Sequence, residues 1–260
     1  MFRTIALLVL SILTLPAGAQ ALHPAFTFTA ETFAPVARAL TEPFKTAVLA
    51  NPKAFLEDYK SLLGQSSDLL VVVDKKNELP SDYEPGDLVT LRGPAFVVNK
   101  SGMKFRKAYL PELTTLVKAA KKEGLTIEIS SAYRSWVYQK NTFQAYVNKD
   151  GLATAERYSA RPGRSQHQLG TVVDLGSVTP DFADTKEGRW MAAHAEEFGF
   201  SLSYPEGQEG LTGYVYEPWH FRYIGAEACL VQKKWFGDLQ QRLTEFQASQ
   251  GAAILAALKK

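Results

Sequence analysis

Two imidazoles, His167 and His220, and two carboxylates, Asp174 and Glu217, stand in two short stretches whose residue types could hold and use a divalent metal. The first stretch is Ser165-Gln166-His167-Gln168-Leu169-Gly170-Thr171-Val172-Val173-Asp174-Leu175-Gly176, with imidazole and carboxylate seven positions apart and a glycine turn between them. The second is Tyr216-Glu217-Pro218-Trp219-His220-Phe221-Arg222-Tyr223. Zinc accepts His nitrogen and Asp oxygen, and a catalytic zinc site keeps three protein ligands and leaves the fourth position to water. His167, Asp174 and His220 are the candidate ligands for one zinc ion. An attacking water still needs a base to take its proton and pass it to the leaving amine, and Glu217 is the candidate.

Strands and loops must position these groups. The β-branched run before Asp174 reads as a strand, with Val172 and Asp174 on one face and Val173 and Leu175 on the other. Pro218 breaks any helix through Glu217 and His220. That excludes the helical H-E-x-x-H arrangement and favours a loop entering a strand over His220 to Tyr223. Upstream, Leu69 to Asp74 is a short apolar run expected as a buried strand, followed by a Pro- and Asp-rich loop from Asn77 to Gly86. A helix is expected from Ala108 to Glu123, with Leu113, Leu116, Val117 and Ala120 on its apolar stripe and Gly124 as its stop. Thr126 to Ser131 alternates as a strand and ends at Tyr133-Arg134-Ser135, where a loop site would be built. Helices are expected over Ser135 to Tyr146, Ala153 to Tyr158 and Arg189 to Phe198. Ser201 to Tyr204 and Gly213 to Tyr216 read as a hairpin that delivers Glu217.

The ends of the chain read differently. Arg3, the apolar run Ile5 to Leu15 and Ala17-Gly18-Ala19 form the layout of a secretory leader, cleaved after Ala19 or, alternatively, Ala21. The run is shorter than the ~20 residues of a membrane span. The mature protein is therefore expected to be exported, periplasmic or at the cell envelope, without a stable membrane span; an uncleaved anchor is the minor alternative. Ala30 to Leu63 has helical spacing, and Glu227 to Lys260 is helical with Gly237 and Gly251 as interruptions; the tail is expected to dock on the N-terminal helices. The 260 residues, 46% hydrophobic and 22% charged, suffice for one good core, and a net charge of +2 supplies no field for nucleic acid. The single cysteine, Cys229, cannot form an internal disulfide and reads as a buried apolar residue. His194 reads as structural, and His23, near the processed end, as unordered.

The motifs resemble those of the VanY-type D-alanyl-D-alanine carboxypeptidases. S-x-H-x-x-G-x-A-x-D appears as Ser165 to Asp174, E-P-W-H-x-R-Y as Glu217 to Tyr223, and S-x-Y-R-S followed by Gln as Ser131 to Ser135 with Gln139. The resemblance extends over roughly Leu69 to Ala228. It implies zinc on His167, Asp174 and His220, Glu217 as base, and Arg134 polarising the scissile carbonyl. The Arg134 guanidinium, permanently charged, suits either a developing oxyanion or the substrate's terminal carboxylate. Tyr133, Gln139 and Ser165 are the residues expected beside the substrate, although Gln139 also reads as a surface amide and Ser165 as a turn residue. Val172, Leu169 and Ser203 depart from the family's usual alanine, threonine and arginine; none removes a ligand.

These readings converge on an α+β fold, a small antiparallel sheet with packed helices of the Hedgehog/D,D-peptidase kind. The expected organisation is a leader over 1–19, a helical extension over 20–65, a zinc carboxypeptidase domain over 66–228 and a second helical extension over 229–260. The substrate implied is a peptidoglycan stem peptide ending in D-alanine. An L,D-carboxypeptidase acting on tetrapeptide stems is the nearest alternative, and a catalytically silent wall-binding module is the alternative of another class.

Overall fold

A computed structural model describes residues 20–65 and 68–259; the expected leader over 1–19 lies outside them. The chain begins with three short helices, α1 (Ala30–Arg38), α2 (Phe44–Ala50) and α3 (Pro52–Lys60). Thr29 starts α1 with a reciprocal cap: its hydroxyl accepts from the Thr32 N–H, and its own N–H donates to the Thr32 hydroxyl. Each helix turns an apolar stripe inward, including Phe33 and Val36 from α1 and Phe55, Leu56 and Tyr59 from α3.

The middle of the chain builds the sheet that carries the candidate site. Its elements are β1 (Leu88–Thr90), β2 (Val97–Val98), β3 (Lys104–Arg106), α4 (Leu110–Lys122), β4 (Glu128–Ser131), α5 (Trp136–Asp150) and α6 (Leu152–Tyr158). They continue with β5 (Val172–Leu175), α7 (Lys186–His194), β6 (Phe200–Leu202), α8 (Glu209–Thr212) and β7 (His220–Tyr223). Strands β1 and β3 form a separate antiparallel ribbon, and the main sheet runs β2-β4-β5-β7-β6. All its pairings are antiparallel except β2 with β4, so the sheet is mixed at one edge.

Period-two alternation sorts this sheet into two faces. Val173 and Leu175 of β5 and Phe221 and Tyr223 of β7 enter one core with Leu113, Leu116 and Val117 of α4 and Met191 of α7. The intervening residues, Asp174 and His220, face away from that core, and the register sets them directly opposite each other, as it does Val172 and Arg222. A one-residue slip would exchange the ligand face for the core face, and the apolar set on the other side holds the register against it.

The chain closes with α9 (Ala226–Trp235) and α10 (Gln240–Ala257). The link between them turns through two left-handed residues, Gly237 (φ 63°) and Asp238 (φ 62°). Both helices pack on α1–α3 in a second core. Phe55 sits at its centre, with Tyr59, Trp235, Phe236 and Phe246 at ring-centroid distances of 5.3, 5.5, 6.4 and 5.8 Å. Burial on this scale makes Phe55→Ala cost about 3–5 kcal/mol. The termini are also joined through backbone: Thr27 N–H donates to Ala257 O and Lys259 N–H to Ala25 O. The tail thus docks on the N-terminal helices.

Four local expectations are corrected. Leu69 to Asp74 is buried in part but forms no strand, because the carbonyls of Leu69 and Val71 accept from the Arg222 guanidinium instead of from a strand ladder. Gly213 to Tyr216 forms no hairpin with β6. β6 pairs with β7, α8 lies between, and Glu217 is tied by its N–H to Tyr204 O at 3.1 Å. Gly251 does not interrupt α10, since a mid-helix glycine costs only about 1 kcal/mol and its helix is fixed by packing. His23 is ordered and buried, its Nδ1 accepting from the Ala25 N–H and its Nε2 paired with Glu57.

Candidate metal centre and active site

The three candidate ligands come from two strands and one turn. Asp174 and His220 are cross-strand partners on β5 and β7. His167 sits in the 3-10 turn Gln166–Leu169, which Ser165 starts by accepting the His167 N–H at 3.3 Å. Gly170 ends the turn with φ 72°, where a Cβ would meet Leu88 Cδ2 at 2.9 Å and Arg106 Cγ at 3.2 Å, so only glycine fits without displacement. The Arg106 N–H donates to Gly170 O, and its guanidinium pairs with Asp68 and Asp87, anchoring the turn from behind.

One candidate atom from each of His167, Asp174 and His220 lies within 4.8 Å of the others, the one such cluster of metal-binding side chains among the described residues. His167 Nε2 is 3.1 Å from Asp174 Oδ2, and His220 Nδ1 is 3.1 Å from Asp174 Oδ1. The carboxylate thus sets one oxygen against each imidazole, an arrangement whose nitrogen and oxygen donors suit a zinc ion. His167 Nε2 and Asp174 Oδ1 are buried and make no hydrogen bond, as expected of atoms shaped for an ion. The opposite ring nitrogens are both occupied: His167 Nδ1–H donates to Ala132 O at 2.6 Å, and His220 Nε2–H to Gln166 Oε1 at 3.3 Å. Those bonds set the tautomers and leave the inward nitrogens with free lone pairs.

The electrostatics agree. Burial, reinforced by the nearby Arg134 charge, lowers the His167 pKa to about 4, so the imidazole is neutral near pH 7. Burial works against the Asp174 charge; His167 and His220 draw the carboxyl well below the usual range when they turn an N–H toward it, and with their lone pairs turned inward a bound cation would supply that support instead. Glu217 goes the other way: burial first, and the Asp174 charge second, push it well above the usual range, with Arg134 opposing. The Glu217 carboxylate lies 3.5 Å from His220 Nδ1. The site therefore contains one carboxylate kept ionised for a cation and another that favours its proton, the separation expected of a ligand and an acid–base group.

These groups open on a cavity of about 450 Å³ lined by Arg134, Ser165, Tyr204, Tyr216, Glu217 and Trp219 among others. Arg134 lies between β4 and α5, its N–H donating to His167 O at 3.3 Å, while Ser135 caps α5 through the Tyr138 N–H. The Arg134 Nε is buried without a hydrogen-bond partner. The structure thus brings Asp174, His220, Glu217, Arg134 and Ser165 to one cavity, with His167 fully buried behind its wall against Asp174. Tyr133 lines an adjoining cavity of about 310 Å³ that shares Arg134. Gln139 does not line the main cavity: it is 1% exposed and its amide donates to Ala160 O at 2.7 Å, which makes it a brace between α5 and the loop after α6. Trp219 is both a cavity wall and a core residue. His194 pairs with Glu197 away from the site, and Cys229 is buried with its thiol pushed up by burial.

Sequence reasoning missed Arg222 and Tyr204. Arg222 is 1% exposed, donates to Leu69 O and Val71 O at 2.7 and 2.9 Å, and is lowered by burial to about 10. Its signal was available, since it stands two residues after His220 on the ligand face of the same strand. Tyr204 packs its ring 4.7 Å from His220, and no local spacing pointed to it.

Comparison with known proteins bears on this geometry. Residues 102–226 match the family model VanY, D-alanyl-D-alanine carboxypeptidase. A putative carboxypeptidase of Bacillus subtilis (strain 168), YodJ, is 37% identical over 171 residues, 63% of this chain and 63% of that protein. The chain thus spans under two thirds of the length of that curated relative. Among solved structures, the LdcB LD-carboxypeptidase aligns with TM-score 0.60 and 32% identity, covering 74% of this chain and 87% of that one. The D,D-pentapeptidase VanY of a VanB-type resistance cassette, solved in complex with Zn(II), aligns with TM-score 0.57 and 28% identity, covering 68% and 99%.

Proposed function

The chain belongs to the VanY D-alanyl-D-alanine carboxypeptidase family, and we propose that it is a zinc carboxypeptidase removing the C-terminal D-alanine from peptidoglycan stem peptides. The observation that carries the reading is the three-residue cluster, two of whose members line one cavity with Glu217 and the half-buried Arg134. When bound to His167, Asp174 and His220, zinc supplies Lewis acidity and activates water. With a cation's charge in the cluster offsetting that of Asp174, Glu217 would be ionised, and its carboxylate takes the proton of the attacking water and returns it to the leaving amine nitrogen. A base so placed contributes about 10²–10⁴-fold to rate. Arg134 directs its charge at the oxyanion or at the substrate's terminal carboxylate, and either contact strengthens where Trp219 and Tyr204 exclude water. Ser165 orients the His167 turn from the cavity edge.

L,D cleavage of tetrapeptide stems is the second reading, supported by the likeness to LdcB at 32% identity against 28% for VanY. Mass spectrometry of stem pentapeptide and tetrapeptide incubated with zinc-loaded protein decides between them, with Glu217→Ala and a chelated sample as controls. Loss of D-alanine from the pentapeptide alone supports the D,D reading, and loss from the tetrapeptide moves the assignment to L,D. No Glu217-dependent loss from either, with zinc bound, overturns the hydrolase and favours a wall-binding module. The enzyme is further proposed to work outside the cytoplasm, on the strength of the leader pattern at Ile5 to Ala19. Among the described residues, no helix is long and apolar enough to cross a membrane. N-terminal sequencing of the exported protein, beginning at Gln20 or Leu22, tests that placement.

A further inference from the structure

A line of buried amides runs from His220 out of the site, beyond the residues that match the family model. His220 Nε2–H donates to Gln166 Oε1 at 3.3 Å. Gln166 Nε2 donates to Gln240 Oε1 at 3.4 Å, and Gln240 Nε2 donates to the Ser201 carbonyl at 3.3 Å. The Ser203 hydroxyl, 2.8 Å from Gln166 Oε1 and 3.2 Å from Gln240 Oε1, donates to the nearer of the two. All the side chains involved are buried: Gln166 at 4%, Ser203 at 3%, His220 at 3% and Gln240 at 2% exposure.

The order of donors and acceptors in this line has one solution. A backbone carbonyl can only accept, so Gln240 must turn its nitrogen to Ser201 and its oxygen to Gln166. Gln166 must then turn its nitrogen to Gln240 and its oxygen to His220, and His220 must carry its proton on Nε2. That leaves His220 Nδ1, 3.1 Å from Asp174 Oδ1, as the lone pair facing the cluster. Gln240 is the first residue of α10, whose next residue, Gln241, donates to Asp74 at 2.7 Å and fixes the angle at which the helix enters.

We propose that Gln240 is a positioning residue for the metal site: through Gln166 it fixes the tautomer and ring orientation of His220, making the C-terminal helix part of the centre's support. The proposal rests on the zinc site proposed above. Groups hydrogen-bonded to a metal-binding imidazole typically change metal affinity 10–100-fold when removed, and Gln240 acts one residue further out. The expected loss of zinc affinity is therefore about 10–100-fold for Gln166→Met and about 3–10-fold for Gln240→Met.

The test measures zinc affinity by competition with a chromophoric chelator, together with the His220 Nε2–H resonance of the zinc-loaded protein by nitrogen-resolved NMR. Weaker zinc binding and faster exchange of the His220 Nε2 proton in Gln240→Met, at unchanged helix content, are the expected results. A folded Gln240→Met protein with wild-type affinity and an unchanged His220 proton overturns the proposal. Should that variant not fold, Gln240→Leu replaces it, likewise removing the amide's donor and acceptor; it is read by the same two outcomes. Wild-type protein that binds no zinc sinks the metal-site reading itself, before any variant is compared.

Discussion

Glu196, in the turn after α7, and Asp238, in the link before α10, bring two acids together at the junction of the two cores, with Lys233 as their cationic neighbour at 3.0 Å from Glu196. Burial, then the Asp238 carboxyl, raise Glu196 from 4.5 to about 7, with Lys233 opposing. An acid with a raised folded-state pKa makes the fold bind protons more tightly than the unfolded chain. Its contribution is complete below about pH 4.5 and is lost as pH rises through about 7. A gap of about 2.5 pH units at 1.36 kcal/mol each sets a ceiling of about 3 kcal/mol. The Glu196 side chain is 26% exposed and Lys233 65% exposed, so solvent screening reduces the expected effect to about 1–2 kcal/mol. For a chain of this size that is a difference of roughly 2–8 °C in Tm. The perturbation is Glu196→Gln, and the assay is thermal unfolding of wild type and variant, both metal-free, from pH 4.5 to 8. The variant should match wild type at the acid end and exceed it above pH 7. Parallel curves across the whole range refute the argument, since every other titrating group is common to both proteins.

Three further outcomes follow from the geometry. Gly170→Ala, forced to φ 72° with its Cβ 2.9 Å from Leu88 Cδ2, should cost about 1–3 kcal/mol in urea unfolding and weaken zinc binding through the His167 turn. Asp174→Asn should leave the fold in place by circular dichroism while abolishing stoichiometric zinc by metal analysis, because an amide lacks the anionic oxygen the two imidazoles flank. Cys229, 2% exposed with its thiol raised by burial, should resist thiol reagents in the native protein and react on unfolding, as followed by mass; ready labelling of folded protein would contradict its packing.

The face that carries the candidate ligands was legible in the sequence because a strand's two-residue period is local: once Val173 and Leu175 were placed in the core, Asp174 had to face away from it. The same rule, applied one strand further, would have found Arg222. What local reading could not supply was pairing over distance. Ser201 to Tyr204 and Gly213 to Tyr216 alternate like a hairpin, yet β6 takes β7 as its partner, because Phe200 and Phe221 complete the core under α4 and α7. Leu69 to Asp74 has the composition of a strand, but a buried guanidinium claims its carbonyls from a position 151 residues away or more. Gln240 belongs to the same class of contact, invisible from a helix whose own pattern gives no reason for a buried polar first turn. A glutamine that is buried at a helix start must satisfy its amide somewhere, and here it does so through Gln166, which borders the candidate metal ligand His220. The half of this chain that carries the candidate site and the helical half are therefore separate as cores but joined by buried polar contacts across their boundary, where Gln240 of α10 meets Gln166 beside His220.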